Sequence, residues 1–254
     1  MYECRIEIAG IPALVRCRHP ENADFFREYL TAGQERFVIE PGDKDLQRIR
    51  EAYERKDAAE GLSGRRRTEV LLENSAIHYL LAERLIPENV LLMHGSALCM
   101  DGEAYLFIAG SGTGKSTHAR LWRQAFGDRV WMINDDKPML RFSGDDVTVY
   151  GTPWGGGPVP GRNAGAPLKA VVRLRRDETD HIEPLSKTEA FPELVQYAFR
   201  AKDPALMAKI LELEKILLNA ADFYSLGCTM EPDAAVTARA GINSVKRSQK
   251  WKTN

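Results

Sequence analysis

Residues 104–126 read AYLFIAGSGTGKSTHARLWRQAF. The apolar run Tyr105 to Ala109 reads as a buried strand. It enters a glycine-rich turn, and Thr117 to Phe126 follows with Leu121, Trp122 and Phe126 on one face, the pattern of a helix that Gly127 ends. Within it, AGSGTGKST (109–117) is a P-loop pattern with Ala109 in place of the first glycine. Glycines at 110, 112 and 114 let successive backbone N–H groups converge on phosphate oxygens. The helix start aims its positive end at the same anion. Lys115 supplies a compact charge for β- and γ-phosphates, and the Ser116 hydroxyl is placed to ligate Mg²⁺. Gly110, Ser111, Gly112, Thr113, Gly114, Lys115, Ser116 and Thr117 are therefore the candidate nucleotide-binding residues.

Outward from this stretch, SALCM (96–100) and EAYLFIA (103–109) flank Asp101-Gly102, a hairpin signal. Val130 to Ile133 reads as a short buried strand. Met139 to Phe142 and Val147 to Tyr150 form a second hairpin around Ser143-Gly144-Asp145-Asp146. Gly151 to Gly165 is rich in Gly and Pro and reads as a loop, a candidate flap over a substrate. Leu168 to Leu174 is a strand. Helices follow over Glu189 to Phe199, Asp203 to Asn219 and Ala234 to Ile242, with one strand, Phe223 to Leu226, between the last two.

Towards the N-terminus, Cys4, Ile6 and Ile8 alternate, and a second run spans Ile11 to Val15, giving two strands with a turn at Gly10-Ile11-Pro12. Leu46, Ile49 and Tyr53 make Lys44 to Glu60 an exposed helix. GLSGRRR (61–67) reads as a linker whose arginines form a solvated turn, with a phosphate patch as the alternative. From Thr68 to Pro87 the pattern is helical, with Val70, Leu71, Ile77, Leu80, Leu81 and Leu85 on one side. The expected organisation is an accessory region over 1–65, a nucleotide-binding domain over 66–245 and a polar tail over 246–254.

The 254 residues carry 35 Lys and Arg against 36 Asp and Glu, a net charge of -1. That balance lacks the basic footprint of a dedicated nucleic-acid binder. No apolar run approaches a membrane span, and charges at Glu3, Arg5 and Glu7 interrupt the first residues, so neither a membrane association nor a signal peptide is expected. Cys4, Cys17, Cys99 and Cys228 form no C-x-x-C pair and read as buried free thiols of a cytoplasmic protein.

Three further elements bear on chemistry. Asn134-Asp135-Asp136 follows the strand over Val130 to Ile133. In a P-loop protein an acidic residue at the end of a neighbouring strand holds the metal, and a second carboxylate can accept a proton from an attacking hydroxyl. His94-Gly95 lies one hairpin before Lys115, where a histidine can share the sheet end with the phosphates. Arg162, the one cation of the loop at 151–165, is a candidate for the transferring phosphoryl group or the acceptor. His118, in the first helical turn, is read as a surface residue.

HGSAL (94–98), AGSGTGKST, INDD (133–136) and GTPW (151–154), in that order and spacing, resemble the kinase domain of HPr kinase/phosphorylase and its uncharacterised relatives. The wider group includes ATP-dependent phosphoenolpyruvate carboxykinase. The resemblance covers roughly Leu91 to Leu226, and YSLGCTMEPDAA (224–235) extends it. It implies an α/β, carboxykinase-type P-loop fold: a mixed sheet with antiparallel hairpins flanked by helices, here joined to a small N-terminal α+β region. It also implies ATP and Mg²⁺ as cofactors. Lys115 would bind β/γ-phosphate, and Ser116 and Asp135 would bind the metal. Asp136 would be the base, and His94 would lie near the transferred phosphate. The expected activity is transfer of the γ-phosphate to a hydroxyl, a serine of a peptide or small protein. An ATP-hydrolysing regulatory module and a small-molecule kinase are the alternatives.

Overall fold

The computed structural model describes residues 1–62, 64–156 and 162–244. The polar tail at 246–254 and residues 157–161 of the glycine-rich loop lie outside the described residues.

The chain opens with β1 (Tyr2–Ile8) and β2 (Ile11–Cys17), a hairpin whose turn is Ala9-Gly10, both at positive φ. The expected turn lay one residue later; Ile11 pairs with Ile8, so Ile11 and Pro12 belong to the strand. A short helix, α1 (Pro20–Phe25), and a third strand, β3 (Phe37–Ile39), went unseen in the sequence because neither is long enough to show a period. The helices α2 (Asp43–Ala59) and α3 (Glu69–Leu85) follow. They pack on each other through Leu46, Ile49, Leu72 and Ala76.

Two expectations need correction here. The buried stripe of α3 is Leu72, Ala76, Ile77, Leu81, Ala82 and Leu85, while Leu71 is 43 % exposed. Leu71 lies off the line that spacings of four and five draw through 72, 76, 77, 81 and 85. Arg67 is not solvated. Its side chain is 12 % exposed, pairs with Asp57 and lies over the Tyr53 ring at 4.3 Å. Arg65 and Arg66 remain exposed.

The large sheet has nine strands among the described residues. They are β4 (Val90–Leu92), β5 (Ser96–Met100), β6 (Glu103–Ile108), β7 (Val130–Asn134), β8 (Met139–Ser143), β9 (Asp146–Tyr150), β10 (Gly165–Arg176), β11 (His181–Pro184) and β12 (Asp222–Cys228). The order runs β4-β8-β9-β10-β6-β5-β7, with β12 beside β10 and β11 beside β12. β10 pairs parallel with β6 and β12, and the remaining pairs of this sheet are antiparallel. The fold is thus α/β, a mixed sheet built on antiparallel hairpins and joined to a small N-terminal α+β region. β4 and β11, of three and four residues, were not anticipated.

Helices cover both faces: α4 (Lys115–Phe126) and α7 (Asp233–Ser244) on one, α5 (Lys187–Tyr197) and α6 (Pro204–Ala220) on the other. The strand period of two decides which side chain meets which layer. In β6, Tyr105 and Phe107 join Leu121 and Trp122 of α4, and Leu106 and Ile108 join Leu194, Leu213 and Leu217. Both faces of β6 are therefore dry, which is why its sequence shows a continuous apolar run and no alternation. Trp122 is fully buried against Tyr105 at 4.8 Å between ring centroids, fixing α4 to the sheet. Emptying such a site costs about 3–5 kcal/mol.

The N-terminal sheet shares one apolar cluster with α3, β4 and β8 through Ile6, Val15, Ile77, Leu81, Leu92 and Met139. No helix among the described residues is long and apolar enough to cross a membrane.

Candidate phosphate-binding site

β5 lies between β6 and β7 and is antiparallel to both. The end of β6, the end of β7 and the start of β5 therefore meet at one edge of the sheet. The glycine-rich loop leaves β6, Asp135 and Asp136 leave β7, and His94-Gly95 enters β5. Sheet topology alone brings together residues that are 21 and 20 positions from Lys115 in sequence.

Gly112 and Gly114 have φ of +75° and +117°, in the region that favours glycine, and they turn the loop into α4. A depression of about 420 Å³ opens beneath that turn. Ser111, Gly112, Gly114, Lys115, Ser116, Thr117, His94, Asp135, Asp136 and Gly156 line it. Gly110 and Thr113 complete the loop, the Thr113 N–H donating to the Gly110 carbonyl at 3.3 Å. Lys115 Nζ folds back on the loop and donates to the Ala109 carbonyl at 2.9 Å. Burial pushes its pKa down, and the charge of Asp136 offsets part of that. A phosphate group would offer this ammonium a stronger acceptor than a neutral carbonyl.

Asn134 shapes the turn that presents the acidic pair. It is fully buried. Its Oδ1 accepts from the N–H groups of Asp136 and Lys137 at 2.9 and 2.6 Å, and its Nδ2 donates to the Thr152 carbonyl at 2.9 Å. The two carboxylates then face different partners. Asp135 Oδ1 accepts from Ser96 Oγ at 2.7 Å. Asp136 Oδ1 is 3.0 Å from His94 Nδ1 and 3.2 Å from Lys137 Nζ. Burial works against the Asp136 charge, but the contacts with His94 and Lys137 prevail and hold the carboxyl at about 2.

His94 links the two halves of the site. Its Nδ1 lies 3.0 Å from Asp136 Oδ1 and 3.1 Å from Lys137 Nζ, and its Nε2 lies 3.4 Å from Lys115 Nζ; the tautomer that donates from Nδ1 to Asp136 leaves Nε2 to accept from Lys115. Gly95 makes this possible. A Cβ at that position would stand 2.8 Å from the Phe107 carbonyl oxygen and 2.9 Å from Leu106 Cδ1, so only glycine lets the chain pass so close to β6.

The donor set suits a hard cation. Ser116 and Asp135 line the same depression and offer a hydroxyl and a carboxylate. Mg²⁺ completes its shell with phosphate oxygens and water and needs no all-protein cage. Among the described residues no cluster of three His, Cys, Asp or Glu forms such a cage.

Two sequence expectations are displaced. The Arg162 guanidinium lies 5.4 Å from the Trp131 ring centroid, and its backbone N–H donates to the Ile133 carbonyl at the sheet edge. It does not line the phosphate depression. His118 is not a surface residue: it is 2 % exposed, and its Nε2 accepts from Trp122 Nε1 at 3.0 Å. Burial drives its pKa down to about 4.

Three residues escaped the sequence reading. Lys137 could have been found as the cation next to the acidic pair. Ser96 carried no signal apart from its place after His94-Gly95. Arg176, at the end of β10, donates to the carbonyls of Gly112 and Thr113 across 64 and 63 positions, and nothing local announces it.

No family model matches the chain, and no curated protein does. Among solved structures, the chain is similar to the Hpr(Ser) kinase/phosphatase from Coxiella burnetii, with 8 % identity over 60 % of this chain and 97 % of that one, at a TM-score of 0.37. At that TM-score the similarity says nothing of activity.

Proposed function

We propose that this protein is an ATP-dependent kinase that moves the γ-phosphate to a hydroxyl, the acceptor being a serine of a peptide or small protein. The observation that carries the reading is the division of labour between two adjacent carboxylates beside a P-loop lysine. Asp135 stands with Ser116, where a metal ion would be shared with the phosphates. Asp136 stands with His94 and Lys137, free of the metal set, where an acceptor hydroxyl would arrive.

In this reading Lys115 and the loop N–H groups hold the β- and γ-phosphates. When bound, Mg²⁺ neutralises charge on those phosphates. The acceptor oxygen bonds to the γ-phosphorus as the bond from phosphorus to the β,γ-bridging oxygen breaks, and ADP leaves with that electron pair. The hydroxyl proton passes to Asp136 and then to solvent. A carboxyl held at about 2 is a weak base. In a loose phosphoryl-transfer transition state the hydroxyl loses its proton late, so Asp136 serves first by orienting it. His94 and Lys137 lie where negative charge on the moving phosphoryl group would be met. The four free cysteines and the use of ATP fit a cytoplasmic protein.

Asp136→Asn tests the assignment. Nucleotide affinity, measured with a fluorescent ADP analogue, should stay within a few-fold, and transfer should fall by about 10³ or more. Unchanged turnover would remove Asp136 from the mechanism.

A further inference from the structure

A second groove opens on the β7 side of α4. It measures about 390 Å³ and meets the phosphate depression at Ser116, Thr117 and Asp135, which line both. Its floor is apolar: Leu98 of β5 faces Met132 of β7 across the ladder, and Val130 shares the face of Met132. Its rim carries Arg120 and Arg123, both exposed. Among the described residues neither guanidinium has a carboxylate or any hydrogen-bond partner. Of the arginines around α4, Arg129 and Arg239 pair with Asp101, and Arg176 bonds the loop carbonyls.

We propose that this groove binds the phosphoacceptor as a short extended acidic peptide, with Arg120 and Arg123 taking carboxylates and the apolar floor taking a neighbouring side chain. The inference rests on the kinase reading. Two free guanidinia in line beside a phosphoryl-transfer site call for negative charge on the occupant. Spacing supplies the rest. Along α4, Arg120 lies about 6 Å and Arg123 about 10 Å beyond Ser116, at 1.5 Å per residue. An extended chain advances about 3.3 Å per residue. A serine poised where the groove opens into the phosphate depression, which Asp136 lines, thus brings residues two and three positions away alongside the two arginines. The reaction is the transfer written above, with the serine Oγ as the attacking oxygen.

The test uses the full chain, labelled Mg-ATP and three serine peptides. They carry glutamates, glutamines or lysines two and three positions from the serine on both sides. The expected result is a kcat/KM at least 10-fold higher for the glutamate peptide. In Arg120→Glu/Arg123→Glu the KM for that peptide should rise at least 10-fold with kcat within about 3-fold, and the lysine peptide should become the better substrate. The single variants Arg120→Gln and Arg123→Gln give the same direction if the double variant folds poorly. Equal use of the glutamate and glutamine peptides, or an unmoved KM, would overturn the proposal. So would an equal loss of ADP-analogue affinity, which would assign the groove to nucleotide. If a lysate component is labelled but no peptide is, the groove proposal fails and the kinase reading survives. If nothing is labelled, both fail.

Discussion

His94 Nδ1 lies 3.0 Å from Asp136 Oδ1, and the opposite nitrogen of the same ring faces Lys115. One imidazole thus spans the carboxylate assigned to the acceptor and the ammonium assigned to the phosphates. The residue is anchored by its backbone N–H, which donates to the Tyr197 carbonyl at 2.7 Å.

Replacing His94 by alanine should therefore separate catalysis from binding. Turnover should fall by about 10²–10³, the usual cost of losing one donor to a charged transition state. Affinity for an ADP analogue should hold within a few-fold, because Lys115 and the loop amides remain. Loss of both together would make His94 a structural residue.

Gly95→Ala should destabilise the fold and disturb the site at once. The new methyl would meet the Phe107 carbonyl oxygen at 2.8 Å, and a strand buried on both faces cannot yield. A cost of about 1–3 kcal/mol is expected, as for other overpacked sites, read as a lower urea midpoint with unchanged m-value. An unchanged midpoint would mean that β5 and β6 can part freely.

His118 gives the stability a pH dependence. Its folded pKa, about 4, lies below the unfolded value near 6.5. Between those values the unfolded chain binds a proton that the folded chain refuses, so stability falls as the pH drops from about 6.5 to about 4. The loss can reach about 3 kcal/mol across that window. His118→Gln keeps an acceptor for Trp122 Nε1 and should flatten the slope. Urea titrations at pH 7 and pH 5 check it, and an equal slope in the variant would contradict the assignment.

The local parts of this site were legible in the sequence because they depend on neighbours in the chain. The loop over 109–117 follows from glycine conformational freedom, and the Asp101-Gly102 hairpin follows from two residues that tolerate positive φ; they adopt 55° and 82°. The acidic pair could be read as the polar end of a buried strand. What the sequence hid depends on three-dimensional partners. Arg176 reaches the loop only because β10 runs parallel to β6. His118 is buried because Phe107 and Trp122 close around it. Arg67 is drawn from a supposed solvated turn onto Asp57 and Tyr53. Arg162, the cation of a glycine-rich loop, turns to Trp131 instead of the phosphates. β3, β4 and β11 are too short for a period of two to show.

The most direct measurement follows the γ-phosphate of labelled Mg-ATP in a lysate of the source cells, with wild-type protein, Lys115→Ala and a chelator control. Kinase action predicts label on a hydroxyl of a peptide or protein, acid-stable as a phosphoserine. That label should vanish with Lys115→Ala and with removal of Mg²⁺. Label that ends only as free phosphate, or that stays on ATP, would contradict phosphotransfer and leave a nucleotide-binding module in its place.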